Sequence, residues 1–397
     1  MRSTRLMALG LAAALGLAAC GSGGGSGSDD SGPIAIGMVA PLTGPLAPLG
    51  IGDKAAAEQE VAAINKAGGI DGRKLKLTVV DDKSDVPQSV TEYSKMTANK
   101  DISLILSSAN VSASTAIGPT AMSRKVPTLA LGPVTAFVDG KNPYAFTIPA
   151  SPKAYAEKLV DYFSEQGVKT LSIAYNGKDV YGPTGSDATK VAAKAAGIKV
   201  VMDEPLDPTS TDFTPLITKA KNAKADAFLV WAAGPAPVII AKQLQGSGVK
   251  MTATGANASN LFTQPAGDAA EGMIMASSIA VPGKDIPAGP LKSKIDEFAG
   301  PWEKSNKGIY PPQFAFDGAT GIQIAKAAIE KAGSSDREDI RNALEGLNML
   351  TPTGRFEYSK TDHSGLDKSA VAIVEVKDGA FTATDFSRKQ FETELPK

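Results

Sequence analysis

Ile34-Ala35-Ile36-Gly37-Met38-Val39 is a short apolar run that reads as a buried strand. A helical pattern follows from Asp53 to Lys66, with Ala57, Val61 and Ile64 on one face and Gly68-Gly69 to stop it. The same grammar then repeats. Leu75–Val80, Ile102–Leu106 and Val126–Leu131 read as strands, with a helix near Pro87–Asn99. Further on, strands at Val168–Tyr175, Lys199–Met202 and Asp226–Trp231 alternate with helices at Lys153–Gln166, near Pro183–Ala196 and around Pro215–Asn222. Strand–helix alternation at this spacing predicts an α/β fold of parallel sheets with helices on both faces. Roughly ten strands are too many for one sheet. The punctuation at Ile148-Pro149-Ala150-Ser151-Pro152 therefore predicts a crossing into a second lobe, with two more crossings at Ser277–Gly283 and Thr351–Gly354. Two α/β lobes joined by a multi-stranded hinge place a ligand in the cleft between them, at the carboxyl ends of the strands, where hinge motion can close over it.

Composition narrows the function classes. The chain has 397 residues, with 41 basic against 42 acidic. A net charge of -1 offers no field for a phosphate backbone, so no nucleic-acid partner is expected. One Cys (Cys20) and one His (His363) exclude a disulfide framework, a Cys/His metal site and Cys–His catalysis; no cofactor and no metal are expected. At the N-terminus, Arg2 and Arg5 precede the apolar run Leu6–Ala19, which is too short to span a bilayer. Leu17-Ala18-Ala19-Cys20 resembles the lipobox of bacterial lipoproteins, in which the Cys is acylated and becomes the first mature residue. An ordinary signal peptide with an incidental Cys is the alternative. The Gly/Ser run after Cys20 reads as a flexible tether, placing the body outside the cytoplasmic membrane. The expected organisation is a signal peptide at 1–19, lipidated Cys and linker at 20–32, a first lobe from 33–149 and 281–350, and a second from 150–280 and 351–390.

Two stretches carry a family resemblance. Ile36–Pro45 (IGMVAPLTGP) with Ala57–Gly72 (AEQEVAAINKAGGIDG) resembles the opening of leucine/isoleucine/valine-type periplasmic binding proteins, and Ala266–Met273 (AGDAAEGM) resembles a motif late in their second lobe. The similarity runs from about Ile34 to at least Ala328. It implies a type I periplasmic-binding-protein fold, two Rossmann-like lobes joined by a three-stranded hinge. The role implied is that of the monomeric, extracytoplasmic, lipid-anchored solute-binding component of an ABC importer, working with a permease of the branched-chain amino acid type. In that family the loop corresponding to Ser107–Thr115 holds a ligand carboxylate, which points first to Ser112 and then to Asn110 and Ser114. Helix capping is the alternative for each. Leu131–Thr135 matches the next strand end and offers Gly132 and Thr135, unless Gly132-Pro133 is simply a turn. Tyr181 falls where the family places a cleft Tyr on the second lobe, with packing among neighbours as its alternative. Phe314 would be the apolar wall of the returning first lobe, or core.

The departures bear on the ligand. Leu49 stands where the amino-acid binders carry an aromatic, and Thr254-Gly255-Ala256-Asn257-Ala258-Ser259-Asn260 has no carboxylate where they carry an acid for the ligand ammonium. Asn257 could accept from an ammonium through its carbonyl. Trp231–Pro235 offers small residues in place of a second cleft Tyr, with Trp231 expected in the core, and Ser84 and Asn110 occupy the apparent positions of a Cys pair that some members carry. The expected solute is a small carboxylate- or amide-bearing molecule, either a branched-chain amino acid or a related or aromatic acid. Asp81-Asp82-Lys83-Ser84-Asp85 reads as a solvated turn, Ser247-Gly248-Val249-Lys250 as a chance match to S-x-x-K, and His363 as a solvated turn residue. An exported hydrolase lacks a ready nucleophile–base pair. A ligand-sensing receptor that signals to a membrane partner is the alternative to delivery.

Overall fold

The computed structural model describes residues 32–395; Cys20 and nearly all of the Gly/Ser tether lie outside them. The chain first lays down β1 (Ile34–Ala40), α1 (Ala47–Lys66), β2 (Leu75–Asp81), α2 (Val86–Ala98), β3 (Ile102–Ser107), α3 (Val111–Arg124), β4 (Thr128–Ala130), α4 (Thr135–Val138) and β5 (Ala145–Thr147). These strands form a parallel sheet of order β2-β1-β3-β4-β5. Every β3 side chain is buried, as expected of a parallel strand covered on both faces.

After β5 the chain crosses to α5 (Pro152–Glu165) and builds β6 (Thr170–Asn176), α6 (Tyr181–Ala195), β7 (Lys199–Leu206), α7 (Thr214–Ala223), β8 (Ala227–Trp231), α8 (Pro235–Leu244), β9 (Met251–Thr254), α9 (Asn260–Ala266) and β10 (Ile274–Ser278). Ser151 caps α5, its hydroxyl accepting from the Ala154 N–H, so the Pro-rich punctuation is the start of a helix as well as a crossing. The chain then returns with α10 (Pro290–Ser305), α11 (Gln313–Ala332), α12 (Arg337–Leu344), β11 (Asn348–Thr351) and β12 (Gly354–Glu357). It ends with β13 (Val371–Lys377), β14 (Ala380–Ala383) and α13 (Asp385–Glu394). The second sheet has the order β14-β13-β10-β9-β8-β6-β7. Its β13 pairs antiparallel with β10 and with β14, an edge that strand–helix alternation does not foretell. From Pro33 the chain folds as one compact unit. Among the described residues no helix is long and apolar enough to cross a membrane.

The third crossing differs from the expectation. Thr351–Gly354 is the turn of the β11–β12 hairpin, with Thr351 opposite Gly354. Beyond it the chain stays with the first sheet, where the His363 N–H donates to Val138 O (2.8 Å) and the Thr147 N–H to His363 O (3.0 Å). Residues 354–363, expected with the second lobe, instead cover the β5 edge and satisfy backbone groups an edge strand leaves open. His363 is correspondingly not solvated. It is fully buried, stacked on Phe146 with ring centroids 3.9 Å apart, its Nδ1 2.8 Å from Ala145 O. The Asp81–Asp85 turn is only partly solvated, because Asp82 is buried. The Asp81 carboxylate accepts from the Leu42 and Thr43 N–H groups, and Ser84 Oγ accepts from Leu46 N–H, which fixes the loop leading into α1.

Two helices are set by close approach. α11 packs along α1, and a Cβ on Gly318 would lie 2.2 Å from the carbonyl oxygen of Asp53. α6 lies over Trp231, whose ring would be 2.2 Å from a Cβ on Gly185. Trp231 is fully buried, its indole N–H donating to Thr189 Oγ1 at 3.0 Å, so it belongs to the core as expected.

Candidate functional site

A cavity lies at the carboxyl ends of β3, β4 and β6, between the two sheets, the position the topology assigns to a ligand. Of the residues singled out in sequence, Asn110, Ser112, Gly132, Tyr181 and Phe314 line it together. Ser114, Thr135 and Asn257 do not.

The first-lobe wall is the β3–α3 junction. Asn110 caps α3, its Oδ1 accepting from the N–H groups of Ser112 (3.1 Å) and Ala113 (3.4 Å). The capping reading therefore holds for Asn110, and two of the helix N–H groups that could have held an anion are already engaged. Ser112 Oγ accepts from the Val180 N–H at 3.0 Å, a bond from the first lobe to the second. Ser114 points inward instead, with its hydroxyl 2.7 Å from Ser108 O and 2.8 Å from Ser107 Oγ. Gly132 serves by close approach, since a Cβ there would lie 2.7 Å from Ala109 O. Its carbonyl accepts from Thr147 Oγ1 and from the Val134 N–H, so the turn reading also holds. Thr135 starts α4 on the exposed side.

The second-lobe wall is the β6–α6 junction. Tyr181 opens α6, its hydroxyl 2.6 Å from Thr254 Oγ1 and its ring edge-on to Trp231 at 5.3 Å. Burial pushes the Tyr181 hydroxyl pKa up, so it stays a neutral donor and acceptor. Asn257 Nδ2 donates to Ala232 O at 3.0 Å, and its side chain faces a neighbouring apolar depression with Pro45, Pro48 and Pro235. Its amide is used to hold the end of β8.

Three polar groups escaped the sequence reading. Asp179 lines the cavity at the start of α6 and accepts from the Gly182 N–H (2.8 Å) and from Asn176 Nδ2 (2.6 Å). Burial raises it to about 6, against the lowering effect of those donors. Gln313 and Asp317 stand four residues apart on α11 and face the same cavity. Gln313 Oε1 accepts from the Ser278 N–H (2.9 Å) and its Nε2 donates to Tyr155 Oη (2.8 Å), tying the returning helix to the second sheet and to α5. A polar pair at i, i+4 on an otherwise apolar buried helix was the available signal. Leu46, Leu49 and Phe314 supply apolar wall.

Among the described residues no His, Cys, Lys or Arg lines this cavity. Among the described residues no cluster of three or more His, Cys, Asp or Glu could hold a metal. Hydroxyls, amides and carboxylates around an apolar body can grip a small polar solute from two sides.

Comparison with known proteins agrees with this fold. The periplasmic binding protein family model matches residues 33–380. The chain is 28% identical over 336 residues to the Leu/Ile/Val-binding protein homolog 3 of Brucella melitensis, covering 83% of this chain and 88% of that one. It is 26% identical over 341 residues to the leucine-, isoleucine-, valine-, threonine-, and alanine-binding protein of Pseudomonas aeruginosa, covering 82% of this chain and 86% of the relative. The crystal structure of an extracellular ligand-binding receptor from Rhodopseudomonas palustris superposes with a TM-score of 0.81 at 26% identity, covering 89% of this chain and 100% of that one. The chain belongs to the periplasmic binding protein family, and it is a binding protein and not an enzyme.

Proposed function

We propose that this protein is the extracytoplasmic solute-binding component of an ABC importer and holds a small solute with a carboxylate or amide and an apolar body in its interlobe cleft. The observation that carries the reading is the cavity itself, lined by Ser112 of the first lobe and Tyr181 of the second, with Ser112 bonded across it to Val180. The relatives named as Leu/Ile/Val-binding proteins support a branched-chain amino acid or a related acid as cargo. Closure removes water and strengthens the polar contacts inside, and the closed form presents one shape to a permease. The Leu17–Cys20 lipobox and the Gly/Ser run after it support an extracytoplasmic body tethered to the membrane through a lipid on Cys20.

The test is a thermal-shift panel on the chain from Ser31 onward, unfolded and refolded to remove carried-over solute. The panel holds leucine, isoleucine and valine against benzoate-like acids, short aliphatic acids and amides. At a thousandfold excess over its dissociation constant a ligand stabilises by about 4 kcal/mol. No shift with any member refutes this cargo class.

A further inference from the structure

The cleft contains an acid that the fold leaves without a partner. Both carboxylate oxygens of Asp317 are buried, and among the described residues neither has a hydrogen-bond partner, although the residue lines the cavity. Behind it on α1, both oxygens of Asp53 are in the same condition. Burial raises the pKa of each acid, and Asp317 raises Asp53 further by its charge. A carboxylate withdrawn from water with no donor is unfavourable unless a proton or a cation completes it.

Among the described residues the neighbourhood supplies no such cation. The titratable groups interacting with Asp317 are Asp53 on α1 and Tyr155 on α5, and Tyr181 at the start of α6 and Asp179 just before it line the same cavity. Gln313, one turn earlier on α11, offsets the burial of Asp317 only in part, and its amide is already bonded to Tyr155 and Ser278. Asp179, the other acid of the cavity, differs in kind, because the N-terminus of α6 and Asn176 already satisfy it. One acid is serving the fold, and the other has no partner among the described residues.

We propose that Asp317 is a cation subsite of the cleft and receives the primary ammonium group of the bound solute. The ligand class this selects is an α-amino acid with an apolar side chain. Its carboxylate lies toward the β3–α3 junction and its ammonium toward α11, whose first turn packs on the Thr254–Asn260 segment, where the sequence lacks an acid. The inference deepens the solute-binding reading and rests on it.

The test is calorimetric titration of the stripped protein with two matched pairs, leucine against 4-methylpentanoate and phenylalanine against 3-phenylpropanoate. In each pair only the ammonium is lost. For the pair that fits the cavity, the wild-type protein is expected to prefer the amino acid by about 100-fold, the scale of a buried charge left unpaired. Asp317→Asn should reduce that preference below about tenfold while leaving the ammonium-free acid bound within about threefold of wild type. The preference is a ratio within one protein sample, so it is insensitive to the fraction folded. Asp317→Ser, smaller and uncharged, gives a second reading. Equal wild-type binding of both members of a pair overturns the inference alone, as does a preference that survives in Asp317→Asn or vanishes only in Asp179→Asn. No binding of either member of either pair overturns the solute reading, and the inference with it.

Discussion

Gly318→Ala probes how the helix that carries the site is held. A Cβ at 318 would lie 2.2 Å from the Asp53 carbonyl oxygen and 2.7 Å from its Cα. Favourable contact needs about 3.5 Å, so α11 and α1 must part by about 1 Å. The obstacle is backbone, which cannot swing aside as a side chain would. Overpacking of this kind costs about 1–3 kcal/mol. The better helix propensity of Ala returns about 0.8–1 kcal/mol. The net loss is about 0–2 kcal/mol, or a fall in Tm of up to about 4–8 °C in a domain-sized protein, and the difference from a substitution with no clash is about 1–3 kcal/mol. Gly300→Ala is the control, because Gly300 lies within α10 and a Cβ there meets nothing within 4 Å. That variant has no interhelix clash, and Pro301 beside it offsets part of the propensity gain by crowding a preceding Cβ, so Tm should stay close to wild type. Differential scanning calorimetry of the three proteins measures the contrast. Phe314 and Asp317 sit on the same turns of α11, so solute affinity should fall in Gly318→Ala and stay unchanged in Gly300→Ala. Equal Tm and equal affinity in the two variants would refute the argument that close helix approach sets the cleft.

Ser112→Ala removes the acceptor of the Val180 N–H across the cleft. It should weaken closure by about 1 kcal/mol, roughly fivefold in affinity, chiefly through faster solute dissociation in stopped-flow traces; an unchanged dissociation rate counts against that bond as a closure contact. His363 is held neutral by burial, which lowers its pKa. The unfolded chain takes up a proton below about pH 6.5 that the folded chain resists, so stability is full above that pH and is lost as pH falls through it. His363→Asn should be less stable at pH 7.5, having lost the Phe146 stack, yet should show a flatter dependence between pH 7.5 and 5.5 in urea unfolding. The same slope in both proteins would mean that other groups account for the acid sensitivity.

The parts of the cleft legible in sequence are those at strand–helix junctions. Asn110, Ser112, Gly132 and Tyr181 each follow a recognisable strand, and the topology rule sends such positions to the ligand. Within those loops, side-chain direction was not legible. Ser114 and Asn257 have suitable chemistry, but their polar atoms are taken by Ser107, Ser108 and Ala232, contacts that depend on rotamer and exact turn geometry. His363 reads as solvated in sequence because its flanks are polar, whereas its burial comes from Phe146, far away in the chain.

The sequence by itself determined the alternation of strands and helices, the two-lobed body and the place of the cleft, because apolar period and Gly/Pro punctuation act over a few residues. The tertiary structure decided which acids line the cavity. Asp317 becomes a cleft residue only because α11 returns to the first lobe and lies against α1 at the Gly318–Asp53 contact. The path of residues 354–363 along β5 and the antiparallel β13–β14 edge were likewise decided there. These are pairings between segments distant in the chain, fixed by which backbone groups and apolar faces remain uncovered once the local elements have formed.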